Sequence, residues 1–141
     1  MLLQLRSKIK DSHPGQWDIS AAGHVDSGET PLKGALREIW EEIGIKPSSN
    51  ELKLIEVRKI SKYQPEIGWQ NNEFSYIYLY QFDEDVTKLK IQEEEVEKMK
   101  FMSLKKFEKE ISNPETYKKY VPHGEHYNKT IKAIREELSK I

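Results

Sequence analysis

The sequence contains no cysteine. Disulfides, zinc–thiolate sites and thiol nucleophiles are therefore excluded. It has no apolar run near the roughly eighteen residues of a membrane span. The opening stretch MLLQLRSKIKDSHPG holds too short an apolar segment for a signal peptide. An excess of one charge is also missing, with 23 Lys plus Arg against 24 Asp plus Glu and a net charge of -1. A nucleic-acid binder would carry a strong basic footprint. Internal repeats and low-complexity tracts are absent.

The chain does have length and aromatic residues enough for a core. Its 141 residues suit one domain, and a 10% aromatic share supports packing despite 33% charged residues. The expectation is one soluble, cytoplasmic domain over residues 1–141. Its partner is expected to be a small molecule, with no nucleic acid and no membrane, and a homo-oligomer left open.

Local signals predict a short strand over Leu2–Arg6, a turn at Pro14-Gly15 and a buried strand over Trp17–Val25. Thr30 reads as the N-cap of a helix with Pro31 at its first position and Gly44 at its C-terminal stop. Strands follow over Leu52–Ile60 and Phe74–Phe82. The second places Phe74, Tyr76, Tyr78, Tyr80 and Phe82 on one face, read as core or cross-strand pairs. Ser61–Glu73 between them reads as a loop able to border a pocket. Lys98–Met102 predicts a short strand, Ser103 caps a helix over Leu104–Ile111, and Pro114 and Pro122 break the tail. An amphipathic helix over about 125–141 carries Ile131, Ile134, Leu138 and Ile141 on one stripe. The mixture lacks a strict βαβ rhythm, which favours α+β.

The segment GHVDSGETPLKGALREIWEEIGI, Gly23 to Ile45, carries the chemistry. On a helix, Leu32, Ala35, Leu36, Ile39 and Ile43 form an apolar side. Glu38, Glu41 and Glu42 share another side, at i, i+3 and i+4. Like-charged neighbours at that spacing repel, and Arg37 can offset part of this through Glu41 at i+4. Such a face is either plain solvated surface or a set of hard oxygen ligands suited to Mg²⁺ or Mn²⁺.

These residues also resemble the Nudix box. Gly23, Glu29, Arg37, Glu38, Ile39, Glu41, Glu42, Gly44 and Ile45 fill every position of that motif. Seven of them are fixed types, and at about 7% background each a chance match at one start is on the order of 10⁻⁸. The resemblance implies an α/β/α sandwich around a mixed sheet and cleavage of a diphosphate linked to another moiety. It implies that Glu38, Glu41, Glu42 and the Gly23 carbonyl hold Mg²⁺, with Mn²⁺ as substitute. Glu29 and Arg37 would brace loop against helix. Glu38 is the favoured general base and Glu95 its downstream competitor, so that Glu38, Glu41 and Glu95 form the implied catalytic set.

The flanks, DSHPGQWDISAAGHVDSGE, NNEFSYIYLY and EEEVEKMKF, are similar to the isopentenyl-diphosphate-isomerase-like branch. Isomerases of this type place a cysteine two residues before a metal-binding histidine. Here the segment is Ala22-Gly23-His24, and the isomerase Glu-X-Glu becomes Asn71-Asn72-Glu73. Both departures favour hydrolysis over isomerisation. By the same resemblance His24 and Glu73 match isomerase metal-site positions, as additional ligands or a base; the residues read alone fit a strand-end hydrogen bonder and an exposed edge residue equally well. The substrate expected is a nucleoside diphosphate derivative or related small molecule; the alternatives are isomerase-like activity or a binding module without catalysis. The branch also implies a further strand before LLQLR, so the N-terminal strand is expected to be shortened or missing, leaving Leu2, Leu3 and Leu5 on an unpaired edge.

Overall fold

A computed structural model describes residues 1–10, 13–19 and 28–140, with the side chains at 60, 62, 69, 71 and 73 left aside. The chain runs β1 (Leu2–Arg6), β2 (Trp17–Ile19), α1 (Pro31–Ile43), β3 (Lys53–Gln64), β4 (Trp69–Leu79), β5 (Val96–Phe101), α2 (Leu104–Ser112), α3 (Pro114–Tyr117) and α4 (Glu125–Leu138). The fold is α+β. One sheet has the order β2-β1-β5 and a second consists of β3-β4, with antiparallel pairing in both. A parallel bridge joins Trp17 to Tyr120.

The expected bare edge at Leu2, Leu3 and Leu5 is overturned. β1 is the central strand, with Leu3 opposite Ile19 on one side and Lys100 on the other. Leu3 is fully buried. It packs with Met102, Phe107, Tyr120, Tyr127 and Ile131, so α2 and α4 cover that face of the sheet. Phe107 meets Tyr120 and Tyr127 edge-on at centroid distances of 5.4 Å, a geometry that matches ring edges to ring faces. The Tyr127 hydroxyl donates to the Val121 carbonyl at 2.6 Å, which satisfies its polar end inside the core.

The expected loop at Ser61–Glu73 is also corrected. β3 runs on to Gln64 and β4 starts at Trp69, leaving a turn at Pro65–Gly68. Gly68 takes φ +62°, and its amide donates to the Pro65 carbonyl. A two-stranded ribbon tolerates polar residues on both faces, so the polar run did not end the strands. β4 stops at Leu79, before Tyr80 and Phe82. Tyr76 sits opposite Val57 and Tyr78 opposite Leu54, but this face is not core, since Phe74 and Tyr76 are 61% and 39% exposed.

α4 buries Tyr127, Thr130, Ile131 and Ile134, whereas Leu138 is exposed and Ile141 lies outside the described residues. Asn113 does not simply break the tail. Its side chain accepts from the Glu115 amide at 2.9 Å and starts the single turn of α3. Among the described residues, no helix is long and apolar enough to cross a membrane.

Candidate active site

The carboxylate helix is α1, and local chemistry sets both its ends. Thr30 is extended, and its hydroxyl accepts from the Lys33 amide at 3.2 Å. Pro31 fills the first helical position, where no amide is needed. Gly44 stops the helix in the left-handed region at φ +70°, with its amide donating to Trp40 at 3.0 Å. The segment before β5 closes this end: the amides of Lys90 and Gln92 donate to the carbonyls of Ile43 and Glu42 at 3.0 and 2.9 Å. Two carbonyls left over by the helix are thereby satisfied. On the apolar side Ile43 is buried, while Leu32, Ala35, Leu36 and Ile39 are half-buried.

Arg37 organises the acidic residues. Its Nε and Nη2 donate to the two oxygens of Glu29 at 2.9 and 3.1 Å. This forked pairing fixes orientation as well as charge, and it ties the loop before α1 to the helix. Nη1 of the same guanidinium donates to Glu38 Oε1 at 2.9 Å and to Glu41 Oε2 at 3.1 Å. Glu38 is mostly shielded, with 18% of its side chain accessible, whereas Glu41 keeps 48%. Glu42 is buried. Among the described residues, no three His, Asp or Glu side chains stand close enough together to hold a metal ion. Glu38 and Glu41 are instead joined through the guanidinium.

Glu95 lies where the turn after Gln92 enters β5. Its amide donates to the Gln92 carbonyl at 2.9 Å and its carbonyl accepts from Ser7 at 3.1 Å. Its carboxylate is ion-paired with Lys10. Through Gln92 this turn is tied to the C-terminal end of α1, so chain far apart in sequence is brought beside the carboxylate helix. Glu93 lines a shallow cleft of about 350 Å³ with Ser7, Lys8, Val96 and Glu97. Gly23 and His24, and Ala22 with them, lie outside the described residues. Glu73 pairs through its backbone with Ile60 in the β3-β4 ribbon.

Two polar clusters were not anticipated from sequence. Asp18 is buried and accepts from the Ile19 amide at 2.8 Å, with His123 Nε2 2.9 Å from the same oxygen. Arg58 Nη2 donates to the Thr130 hydroxyl at 2.9 Å and to the His126 carbonyl at 3.2 Å, and it pairs with Glu56. Both clusters fasten the segment around α4 to strands far away in the chain, at separations no local pattern reveals.

An α+β fold with a capped, carboxylate-rich helix braced by a forked arginine defines the class. The NUDIX domain family matches residues 1–123, and the chain belongs to that family. It is 37% identical over 139 residues to Nudix hydrolase 3 of Arabidopsis thaliana, covering 96% of this chain and 18% of that protein. It is 32% identical over 82 residues to an isopentenyl-diphosphate Delta-isomerase of Streptomyces avermitilis, covering 56% of this chain and 39% of the isomerase. The chain therefore spans well under two thirds of the length of either relative. The fold is similar to that of an Ap4A hydrolase of C. elegans, with TM-score 0.56 and 18% identity, covering 99% of this chain and 86% of that one.

Proposed function

We propose that this chain is a Mg²⁺-dependent hydrolase that cleaves a diphosphate linkage in a nucleoside diphosphate derivative or related small molecule, with Mn²⁺ as a second competent ion. The observation that carries this reading is the sharing of one cationic nitrogen by Glu38 and Glu41. Two carboxylates on successive helical turns thus reach a common positive centre, and their all-oxygen donor set fits a hard divalent ion. Glu38, Glu41 and Glu42, with the Gly23 carbonyl, are the residues to hold it; His24 and Glu73 are additional ligands. When bound, the ion neutralises phosphate charge and lowers the pKa of a coordinated water.

The chain's own groups do the rest. Glu29, through Arg37, fixes the loop against α1 and so the direction of the Glu38 carboxylate. Glu38 takes the proton of the attacking water. Glu95, ion-paired with Lys10, is the alternative base. The reading includes a single domain over residues 1–141 working in the cytoplasm. Turnover is to be read as phosphate release across a panel of diphosphate compounds with Mg²⁺ and Mn²⁺. Glu38→Gln is expected to lower it by on the order of a hundredfold or more, with the circular dichroism spectrum unchanged. Undiminished turnover in that variant would remove the central claim.

The identity to an isomerase gives the second reading its observation. Ala22 supplies no thiol and Asn71 no carboxylate at the positions an isomerase uses. Incubation with isopentenyl diphosphate in D₂O is expected to show no deuterium uptake; robust uptake would reverse the ranking.

A further inference from the structure

Lysines from three parts of the chain gather around Trp17. Lys98 and Lys100 of β5 stand opposite Leu5 and Leu3 of β1, and Leu5 in turn stands opposite Trp17 of β2. Residues opposite one another in a ladder share a face, so both lysines and the indole lie on one side of the sheet. The Lys100 ammonium is 4.1 Å from the centre of the Trp17 ring and the Lys98 ammonium 5.7 Å. Both fall inside the reach of about 6 Å over which an aromatic face attracts a cation. Lys119, two residues after α3, is fastened beside them, since its carbonyl accepts from the Trp17 amide at 2.8 Å.

These cations act on one another. Burial lowers the pKa of Lys100 below the usual lysine value; Glu110 opposes the shift, and Lys106 of α2, Lys119 and Lys98 add to it. Glu110 is already engaged: the Tyr120 hydroxyl donates to its Oε2 at 2.8 Å, and Lys119 Nζ lies 3.9 Å from its Oε1. Among the described residues, no carboxylate lies within ion-pair distance of Lys98, Lys100 or Lys106. The local excess is not a reflection of overall composition, because the chain carries a net charge of -1.

The geometry points to a second anion site, in which Lys98, Lys100, Lys106 and Lys119 around Trp17 bind a di- or triphosphate chain apart from the carboxylate helix. Like charges gathered in this way repel, and an anion among them turns the repulsion into attraction. Ammonium groups are compact, rotatable donors that suit phosphate oxygens. Charge sets the size of the ligand. Four ammonium groups less the Glu110 carboxylate leave three positive charges, more than the roughly 1.5 to 2 negative charges of a single phosphate group.

The test is calorimetric titration of inorganic tripolyphosphate, and separately of ATP, in metal-stripped buffer. Chloride is held at about 0.15 M, where diffuse attraction is already screened. Without a divalent ion the carboxylates of α1 have nothing through which to hold phosphate, so failure here leaves the hydrolase reading untouched. Saturable binding of either compound is expected, and the tighter of the two tells whether the chain is taken free or on a nucleotide. K98Q/K100Q is expected to weaken binding by at least about threefold, the scale of two exposed charge pairs. K129Q/K132Q, which removes the same charge from α4, is expected to leave it unchanged. In ¹⁵N-labelled protein the Trp17 indole N–H resonance is expected to move on binding, and that of Trp40, which lies under Lys46, to stay. No saturable binding of either compound, a smaller loss in K98Q/K100Q, an equal loss in K129Q/K132Q, or equal movement of both indoles overturns the site.

Discussion

His126 shows how one side chain can set a pH limit. Burial, and then the Arg58 guanidinium, lower its pKa from the usual value near 6.5. Among the described residues its buried Nδ1 has no hydrogen-bond partner, nor has the Arg58 Nε. The unfolded chain therefore takes up a proton at a higher pH than the folded one. Stability contributed by neutral His126 is complete above about pH 6.5 and is lost as pH falls through the lower folded value. Urea midpoints are expected to fall between pH 7 and pH 5 in the native protein, and to fall less steeply in His126→Gln. Equal slopes would assign the acid sensitivity to other groups. At this scale the sequence revealed residue types well and partners poorly. The acids of α1 and Arg37 were legible because they repeat at helical spacing. The Lys10–Glu95 and Asp18–His123 pairs join residues some 85 and 105 positions apart, and nothing local in the chain marks them.

Among the elements, the best-read one was the helix whose ends are governed by neighbours in sequence. Thr30, Pro31 and Gly44 each act within one turn, so α1 runs Pro31–Ile43 between them. Gly44 has a second constraint that sequence does not show. A Cβ added there would lie 2.7 Å from Lys90 Cβ and 3.3 Å from the Lys90 amide nitrogen. The left-handed conformation alone costs an L-residue about 1–2 kcal/mol, and the contact adds to it. Gly44→Ala is expected to destabilise the protein by roughly 2 kcal/mol or more, seen as a lower Tm. A melt within error of the native protein would mean that the Lys90 segment yields freely. The β3-β4 ribbon was misjudged for the opposite reason. Its ladder pairs Tyr63 with Gln70 and Gln64 with Trp69, and the two strands support each other where their composition resembles a loop.

For the whole molecule, the core depends on residues that only the tertiary fold brings together. Phe107 from α2 sits between Tyr120 and Tyr127 and against Leu3 of the central strand. Phe107→Ala is expected to cost about 3–5 kcal/mol, measurable as a shift in the denaturant midpoint with little change in slope; a loss below 1 kcal/mol would show that this cluster is not the centre of the fold. Fold class and the amphipathic last helix could be read from patterns, because periodicity reports burial. The centrality of β1 could not, because pairing partners are set by topology rather than by composition. That topology also orders events in time. β1 can meet β2 across a short connection and β3 can zip to β4 through a four-residue turn, both on the microsecond scale of hairpins. β5 must close a loop of some ninety residues to reach β1, an entropic cost of about 4 kcal/mol. On a ribosome, Leu2–Arg6 would emerge long before Val96–Phe101 exists, so the strand at the centre of the finished sheet waits with one flank open while some ninety further residues are made, an interval in which chaperones can act.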